Sequence, residues 1–262
     1  MAKGPFLAVI TASINSAPTI RKTLQSLKEQ GFQDFEHTVI DGGSQDGTVE
    51  ILRKFEDQYN LQWISEPDKG IADALNKGLS KTSGEYVLVL QADDYLTDAS
   101  VLEKVFPLLG EERFDIYAFP VILDHPAKGR ILLKPMAVPW WNHFKTIFRH
   151  QGTFVHRRVF DLIGGFREAF SIALDYDFFY RALKSGCTVK FEPGPPIAVM
   201  GGKGISANQS FLLKRLKEEA MVQDLNESRF LWRCLQYIFR IFYFPYKARI
   251  LPSLRGLSSH AD

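Results

Sequence analysis

Gly84-Glu85-Tyr86-Val87-Leu88-Val89-Leu90-Gln91-Ala92-Asp93-Asp94 is the stretch on which the fold turns. Its mostly apolar centre, residues 86–90, reads as a buried strand. The strand delivers two adjacent carboxylates, Asp93 and Asp94, to the edge of a sheet. Like charges this close repel, and burial raises their pKa values. A hard cation removes the conflict, and Mg²⁺ favours one or two carboxylates together with substrate phosphate oxygens. The plainer reading is a capping Asp followed by one that faces solvent. The strand ahead of the pair favours the functional reading.

Outward from this strand the chain alternates. Residues 6–11, 36–40 and 61–64 are further short apolar runs, and residues 19–30, 47–59 and 68–80 repeat apolar side chains every three or four positions. In the first of these helices Ile20, Leu24 and Leu27 share a face and Gly31 follows as a stop signal. The β-α-β-α-β-α-β order predicts an α/β fold with a mainly parallel sheet flanked by helices. Ligands of such sheets bind beyond the C-terminal strand ends, which selects four loops at residues 11–16, 41–46, 65–70 and 91–95. Farther on, residues 114–123 and 130–134 read as strands around a turn at 125–129, and residues 138–148 as an aromatic, loop-rich segment. Residues 174–185 read as a helix, 188–192 as a strand and 208–225 as a charged amphipathic helix. With no repeat or low-complexity linker, one catalytic domain is expected over residues 1–226.

Two more clusters carry polar groups to the same edge. Asp41-Gly42-Gly43-Ser44-Gln45-Asp46-Gly47-Thr48 follows a strand and opens a helix. Taken alone it reads as a strand–helix turn with a good cap. Asp41, at a strand tip, is also placed to accept from a base N–H or a ribose hydroxyl. In the second cluster Asp68 and Lys69 stand at a helix start, and Asp73, Asn76 and Lys77 share one helix face. Lys69 or Lys77 is suited to neutralise phosphate; a solvated Asp73–Lys77 pair accounts for that face equally well.

In order and spacing these motifs resemble the family 2 glycosyltransferases, inverting enzymes of the glycosyltransferase-A fold. The likeness begins with Val9-Ile10-Thr11, runs through the Asp41–Thr48 cluster, Ser65-Glu66-Pro67-Asp68-Lys69-Gly70, Asn76-Lys77-Gly78 and Ala92-Asp93-Asp94. It continues to His150-Gln151, Leu174-Asp175-Tyr176-Asp177 and Gly201-Gly202. It spans residues 6–206 and is nearest to the branch that builds bacterial surface polysaccharides. The resemblance implies that Thr11, Ser13 and Asp41 hold base and ribose, and that Asp68, Lys69 and Asn76 border a nucleoside-diphosphate sugar. It further implies that Asp93 faces the ribose, Asp94 ligates a divalent metal (Mn²⁺ or Mg²⁺), and Asp175 is the catalytic base. The acceptor it implies is a lipid-linked or oligosaccharide hydroxyl. Two positions depart from the family pattern: Gln91 stands where an acid is common, and Leu174 where a Glu usually precedes the base. Asp175 also has independent physical support, since the first turn of a helix favours an ionised carboxylate. Asp177 is the substitute base, and His150 a candidate hydrogen-bond partner for the acceptor. Trp140 and Trp141 suit either sugar stacking or core packing.

Bulk properties bound the alternatives. A net charge of +2 over 262 residues implies no attraction to nucleic acid. Charge is unevenly placed, however: residues 228–262 hold six basic residues and one acid (+5), leaving 26 basic and 29 acidic residues elsewhere (−3). Cys187 and Cys234 match no metal or redox spacing, as expected of free thiols in a reducing compartment. The apolar run 6–10 stops at Thr11, as a core strand does and a signal peptide does not. In residues 227–262, Arg229, Arg233, Gln236 and Arg240 form a narrow polar wedge on a helix otherwise rich in aromatic and aliphatic side chains. Basic residues and Pro245 argue against spanning. The expectation is a cytoplasmic protein held peripherally on an anionic membrane surface, the inner face of the cytoplasmic membrane, with packing on the domain or a homodimer interface as the other uses of that helix. Two rival functions remain. A nucleotidyltransferase would place a glycine-rich, Arg-containing loop after the first strand, and residues 11–18 contain neither residue. A catalytically inactive nucleotide-sugar-binding or membrane-scaffold protein would have no need of Asp94 and Asp175.

Overall fold

The computed structural model describes residues 4–111, 114–201 and 209–250. The first half forms as its periodicity predicts: β1 (Leu7–Ser13), α1 (Ile20–Lys28), β2 (Phe35–Asp41), α2 (Thr48–Phe55), β3 (Leu61–Ser65), α3 (Ile71–Lys81) and β4 (Tyr86–Val89). There follow β5 (Tyr95–Leu96), α4 (Val101–Glu111), β6 (Ile116–Ala118), β7 (Val121–His125) and β8 (Gly129–Leu133). The aromatic segment supplies a 3-10 turn at Pro139–His143, and a second at His150–Gly152 leads into β9 (Thr153–His156) and α5 (Arg157–Ile163). The chain continues through α6 (Leu174–Lys184), β10 (Val189–Phe191), β11 (Ala198–Met200), α7 (Leu212–Asn226) and α8 (Phe230–Pro245).

Seven strands build the main sheet in the order β10-β6-β9-β4-β1-β2-β3, and β5-β11-β7-β8 form a smaller sheet. All neighbours in the main sheet are parallel except β9, which runs antiparallel to both β4 and β6. The result is a mixed but mainly parallel α/β sheet, as the sequence predicts. Central strand β1 is buried along its whole length. Its Ala8, Ile10 and Ala12 join the core beneath α3, α5 and α6, while Leu7 and Val9 join the core against α1 and α4. Both faces are therefore covered, which is why the strand reads as a continuous apolar run. α3 lies close on β1: a Cβ on Gly78 would stand 2.4 Å from Ile10 Cγ2.

Register aligns the strand ends. Ser13 pairs with Asp41, and Asp41 with Ser65, so the loops that follow β1, β2 and β3 leave the sheet on one edge, with Gln91–Asp94 beside them after β4. At the other end of the chain α8 packs back on the domain, mainly through α7 and the 3-10 turn at Pro139–His143.

Candidate active site

Beyond this edge opens a cavity of about 610 Å³. Its polar wall carries Ser13, Asp68, Gln91, Asp93, Asp94, His150, Gln151 and Asp175; its apolar wall is built from β4, β9, α3, α5 and α6. Asp94 is 2% exposed. One of its oxygens, Oδ1, accepts from the Gly201 N–H at 3.0 Å, and the other, Oδ2, is buried without a partner. Burial, and then the charge of Asp93, push the Asp94 carboxyl up to about 6. Burial also raises Asp93. Gly201 is held against the pair, since a Cβ there would lie 2.7 Å from Asp93 Oδ2 and 2.9 Å from its carbonyl oxygen. Gly202, the other half of that motif, lies outside the described residues.

His150 stands between the two acids and Asp175. Its Nδ1 is 3.6 Å from Asp175 Oδ2, and its Nε2 is buried without a partner. Burial on its own would lower the imidazole pKa; pairing with Asp175, then the charges of Asp94 and Asp93, outweigh it and hold the ring above its ordinary value. Asp175 lies in the first turn of α6, with its side chain 26% exposed and Oδ1 accepting from the Tyr176 N–H at 2.7 Å. Ser13 Oγ and Gln151 Oε1 are also buried without partners. The four residues that carry these unpaired atoms all line one cavity, and a buried polar group left without a partner costs roughly 1–3 kcal/mol.

Several residues expected in the site are placed elsewhere. Thr11 is fully buried: its hydroxyl donates to the Leu90 carbonyl at 2.6 Å and contacts His37 Nε2 at 2.9 Å. Because that hydroxyl proton is spent on Leu90, the histidine must donate to it, and His37 Nδ1 is left to accept from the Tyr59 hydroxyl at 2.8 Å. Asp41 is equally buried, and its carboxylate is filled by the N–H groups of Gly43 and Ser44 and the hydroxyls of Ser44 and Ser65. Both residues fix the loops of the site and neither lines it. Asp46 has the same work, accepting from Ala17 N–H and from the N–H and hydroxyl of Thr48. Asn76 uses both ends of its amide on the Phe166 backbone, at 2.8 Å each, and pins the turn ahead of α6. Lys69 is exposed and outside the lining, with its N–H on Asp73, while Lys77 is paired with Glu66 at 2.9 Å and Asp73 at 3.3 Å. Among the described residues, Lys214, from α7, is the lysine that lines the cavity.

Asp177, expected as the substitute base, does not line the cavity. It is fully buried and held by Arg167, Arg181 and Asn226, each at 2.9 Å. Two positions along a helix turn a side chain by about 200°, so Asp175 faces the cavity and Asp177 the core. Trp140 and Trp141 do not line the cavity; Trp141 packs on Phe144 and Phe239. Beyond Lys214, the sequence reading missed the functional positions of Gln151, Gly201 and Glu218. Glu218 takes the Ser171, Ile172 and Ala173 N–H groups at 3.1, 2.8 and 2.9 Å, anchoring the segment that presents Asp175. Gln151 and Gly201 belong to the His150-Gln151 and Gly201-Gly202 motifs, whereas nothing local marks Lys214 or Glu218 among the charges of α7.

A mainly parallel sheet covered by helices on each face, with paired acids and a third carboxylate lining one cavity at its edge, sets the class of fold: an α/β protein with its site at the strand ends. Residues 8–171 match glycosyl transferase family 2, and the chain belongs to that family. It is 28% identical over 194 residues to a PGL/p-HBAD biosynthesis glycosyltransferase of Mycobacterium tuberculosis, covering 71% of this chain and 72% of the relative. Its fold is that of the glycosyltransferase-A enzymes. Staphylococcus aureus TarS 1–349 in complex with UDP-GlcNAc superposes with a TM-score of 0.69 at 18% identity, over 93% of this chain and 76% of that one. Against the longer TarS chain this protein covers 39% of the length. The mannosyltransferase PcManGT of Pyrobaculum calidifontis, in complex with GDP-Man and Mn²⁺, gives 0.67 at 17% identity over 100% and 77%. The activity is transfer of a glycosyl group.

Among the described residues no three His, Cys, Asp or Glu side chains converge as a ready-made metal site. The donor set nonetheless fits a hard cation completed by substrate oxygens: Asp94 Oδ2 is an orphaned carboxylate oxygen with a second carboxylate beside it.

Proposed function

We propose that this glycosyltransferase takes its sugar from a nucleoside-diphosphate donor and transfers it, with inversion, to a hydroxyl of a lipid-linked saccharide in surface polysaccharide synthesis. The observation that carries the reading is the set of unpaired polar atoms on Ser13, Asp94, His150 and Gln151, all in one cavity with Asp175. The ligands bound in the structural neighbours, UDP-GlcNAc in one and GDP-Man with Mn²⁺ in the other, support a donor of this kind.

Asp94, with Asp93 beside it, would hold a divalent cation, whose chemistry is to neutralise charge on the departing diphosphate. Ser13 and Asp68 border the donor where β1 and β3 end. Lys214 brings a positive charge to the cavity wall on the side of α7. Asp175 accepts the acceptor's hydroxyl proton as that oxygen bonds to the anomeric carbon and the bond from that carbon to phosphate oxygen breaks. His150 holds Asp175 in place through its 3.6 Å ion pair. A single displacement with one base inverts the anomeric centre. The structure gives the paired acids and Asp175 one cavity, which favours catalysis over the inactive scaffold. Work on a lipid-linked acceptor would place the protein peripherally on the cytoplasmic face of the membrane.

Thermal shifts with UDP, GDP and their sugars, with and without Mn²⁺, test the donor and metal together. In the wild type at least one diphosphate should raise the Tm more with Mn²⁺ than without. Asp94→Ala should remove that Mn²⁺-dependent increment. An increment unchanged in Asp94→Ala refutes the assignment of the metal.

A further inference from the structure

Helix α8 is turned inside out. Of the narrow polar wedge that the sequence places on this helix, Arg229, Gln236 and Arg240 grip the protein. Arg240 pairs with Asp224 at 2.7 Å and donates to Gln223 Oε1 and the Ala220 carbonyl. Gln236, 1% exposed, donates to the His143 carbonyl and to the Tyr180 hydroxyl. Arg229 pairs with buried Glu227 at 2.9 Å, and Trp232 stacks on His143 at 4.0 Å. Burial alone would raise the Glu227 carboxyl, but its bonds to Arg229 and Tyr180 hold it down at about 2. These contacts fix the rotation of α8 about its axis.

The opposite face is left bare. Phe230 is 83% exposed, Tyr237 65%, Ile238 51%, Ile241 51% and Phe242 72%. A contiguous apolar face on this scale marks a surface that something covers. No helix among the described residues is long and apolar enough to cross a membrane. The 16-residue α8 is short, and its polar side is already committed to the protein.

We propose that the outward face of α8 seats this protein on a lipid bilayer, with the helix axis parallel to the surface and the aromatic side chains in the headgroup layer. Charge selects lipid over a second copy of the chain. Residues 228–262 hold six basic residues and one acid, Asp262, and the segment stays positive even with Arg229 and Arg240 neutralised by Glu227 and Asp224. Two such segments repel when face to face, whereas anionic headgroups attract them. The apolar face supplies the anchorage, because Arg229 and Arg240 are already paired within the protein. Binding should therefore weaken but persist at high salt. The inference rests on the helix itself; the proposed lipid-linked acceptor gives it a purpose, and binding is measured apart from transfer.

The test is co-sedimentation of the full chain with vesicles of phosphatidylglycerol and phosphatidylcholine, at low and high salt, alongside sedimentation velocity without lipid. The comparison protein is the double variant Ile238→Asp/Phe242→Asp, which alters the outward face only. The wild type should pellet with vesicles at both salt concentrations and sediment as a monomer without them. The double variant should bind at least tenfold more weakly, with Tm and nucleoside-diphosphate affinity unchanged. Three outcomes overturn the proposal: wild type that stays in the supernatant, a double variant that binds as well as wild type, or a wild-type dimer that the double variant abolishes while vesicles recruit neither. Loss of nucleotide binding in wild type would instead count against the proposed function and leave the membrane result standing.

Discussion

Glu218 should set the position of Asp175, the proposed base, from 43 residues away in sequence. Its Oε2 accepts from the N–H groups of Ser171, Ile172 and Ala173, and its Oε1 from the Ser171 hydroxyl at 2.8 Å. Asp175 follows two residues after Ala173. Glu218→Ala removes the acceptor for three backbone donors at once. Ser171 and Ile172 are partly exposed and can recruit water, but Ala173 is 4% exposed. A buried donor left unpaired costs about 1–3 kcal/mol. With weaker bonds to water at the other two, the loss should be about 2–3 kcal/mol, a Tm fall of roughly 4–12 °C for a chain of this size. The functional effect should be the larger one. A reacting group misplaced by about 1 Å can cost on the order of 10²-fold in rate, so kcat should fall at least tenfold while nucleoside-diphosphate affinity holds. Burial pushes the Glu218 carboxyl up, but its hydrogen bonds outweigh burial and keep it below its ordinary 4.5. Its contribution to stability is therefore complete above pH 4.5 and is lost as pH falls through the lowered value. Steady-state kinetics, nucleotide titration and melting curves from pH 3 to 7 read all three effects. A variant that melts lower yet keeps wild-type kcat would refute the positioning argument, and so would a loss of nucleotide affinity equal to the loss of rate.

Two further substitutions separate the site from its scaffold. Gly201→Ala should weaken Mn²⁺ affinity by about 10–100-fold, the usual cost of disturbing groups that orient metal ligands, because its Cβ would press on Asp93 and pull the N–H away from Asp94; Mn²⁺ titration of the donor complex checks it, and wild-type affinity would contradict it. Asp177→Ala should cost about 3–5 kcal/mol, since it strands a buried arginine, with nucleotide binding intact in the protein that remains folded; a small Tm change by calorimetry would show that the Arg167–Asp177–Arg181 cluster is not the support its geometry implies.

How much of this was legible in the sequence follows from which forces are local. β1 to β4 and α1 to α3 announce themselves, because burial on one or both faces writes a short period into the chain. α4 was not read, and Pro107 and Gly110 within it are ordinarily breakers. β9 is a four-residue strand between a 3-10 turn and α5, with no linker to mark either end. In the site, Asp93 and Asp94 were legible as a strand end, whereas Ser13 and Asp175 were singled out by the family resemblance, to which the helix start at Asp175 added physical support. Thr11 and Asp41 sit at the same sheet edge but spend their polar atoms inward, a difference decided by Leu90, Ser44 and Ser65. Glu218 and Lys214 could not be singled out because their roles depend on where α7 folds back. The polar wedge of α8 was visible in the sequence; which way it faces depended on Asp224, Glu227 and His143.

The central claim is that Asp175 removes the acceptor proton in a cavity whose opposite side holds the leaving group. The measurement that meets it most directly is the single-turnover transfer rate of Asp175→Asn with donor and Mn²⁺ saturating, using whichever sugar nucleotide the wild type consumes. The substitution keeps shape and removes basicity. Donor affinity should match wild type, and the transfer rate should fall by about 10²–10⁴-fold. Transfer at a near-wild-type rate would contradict the account and move the base to His150.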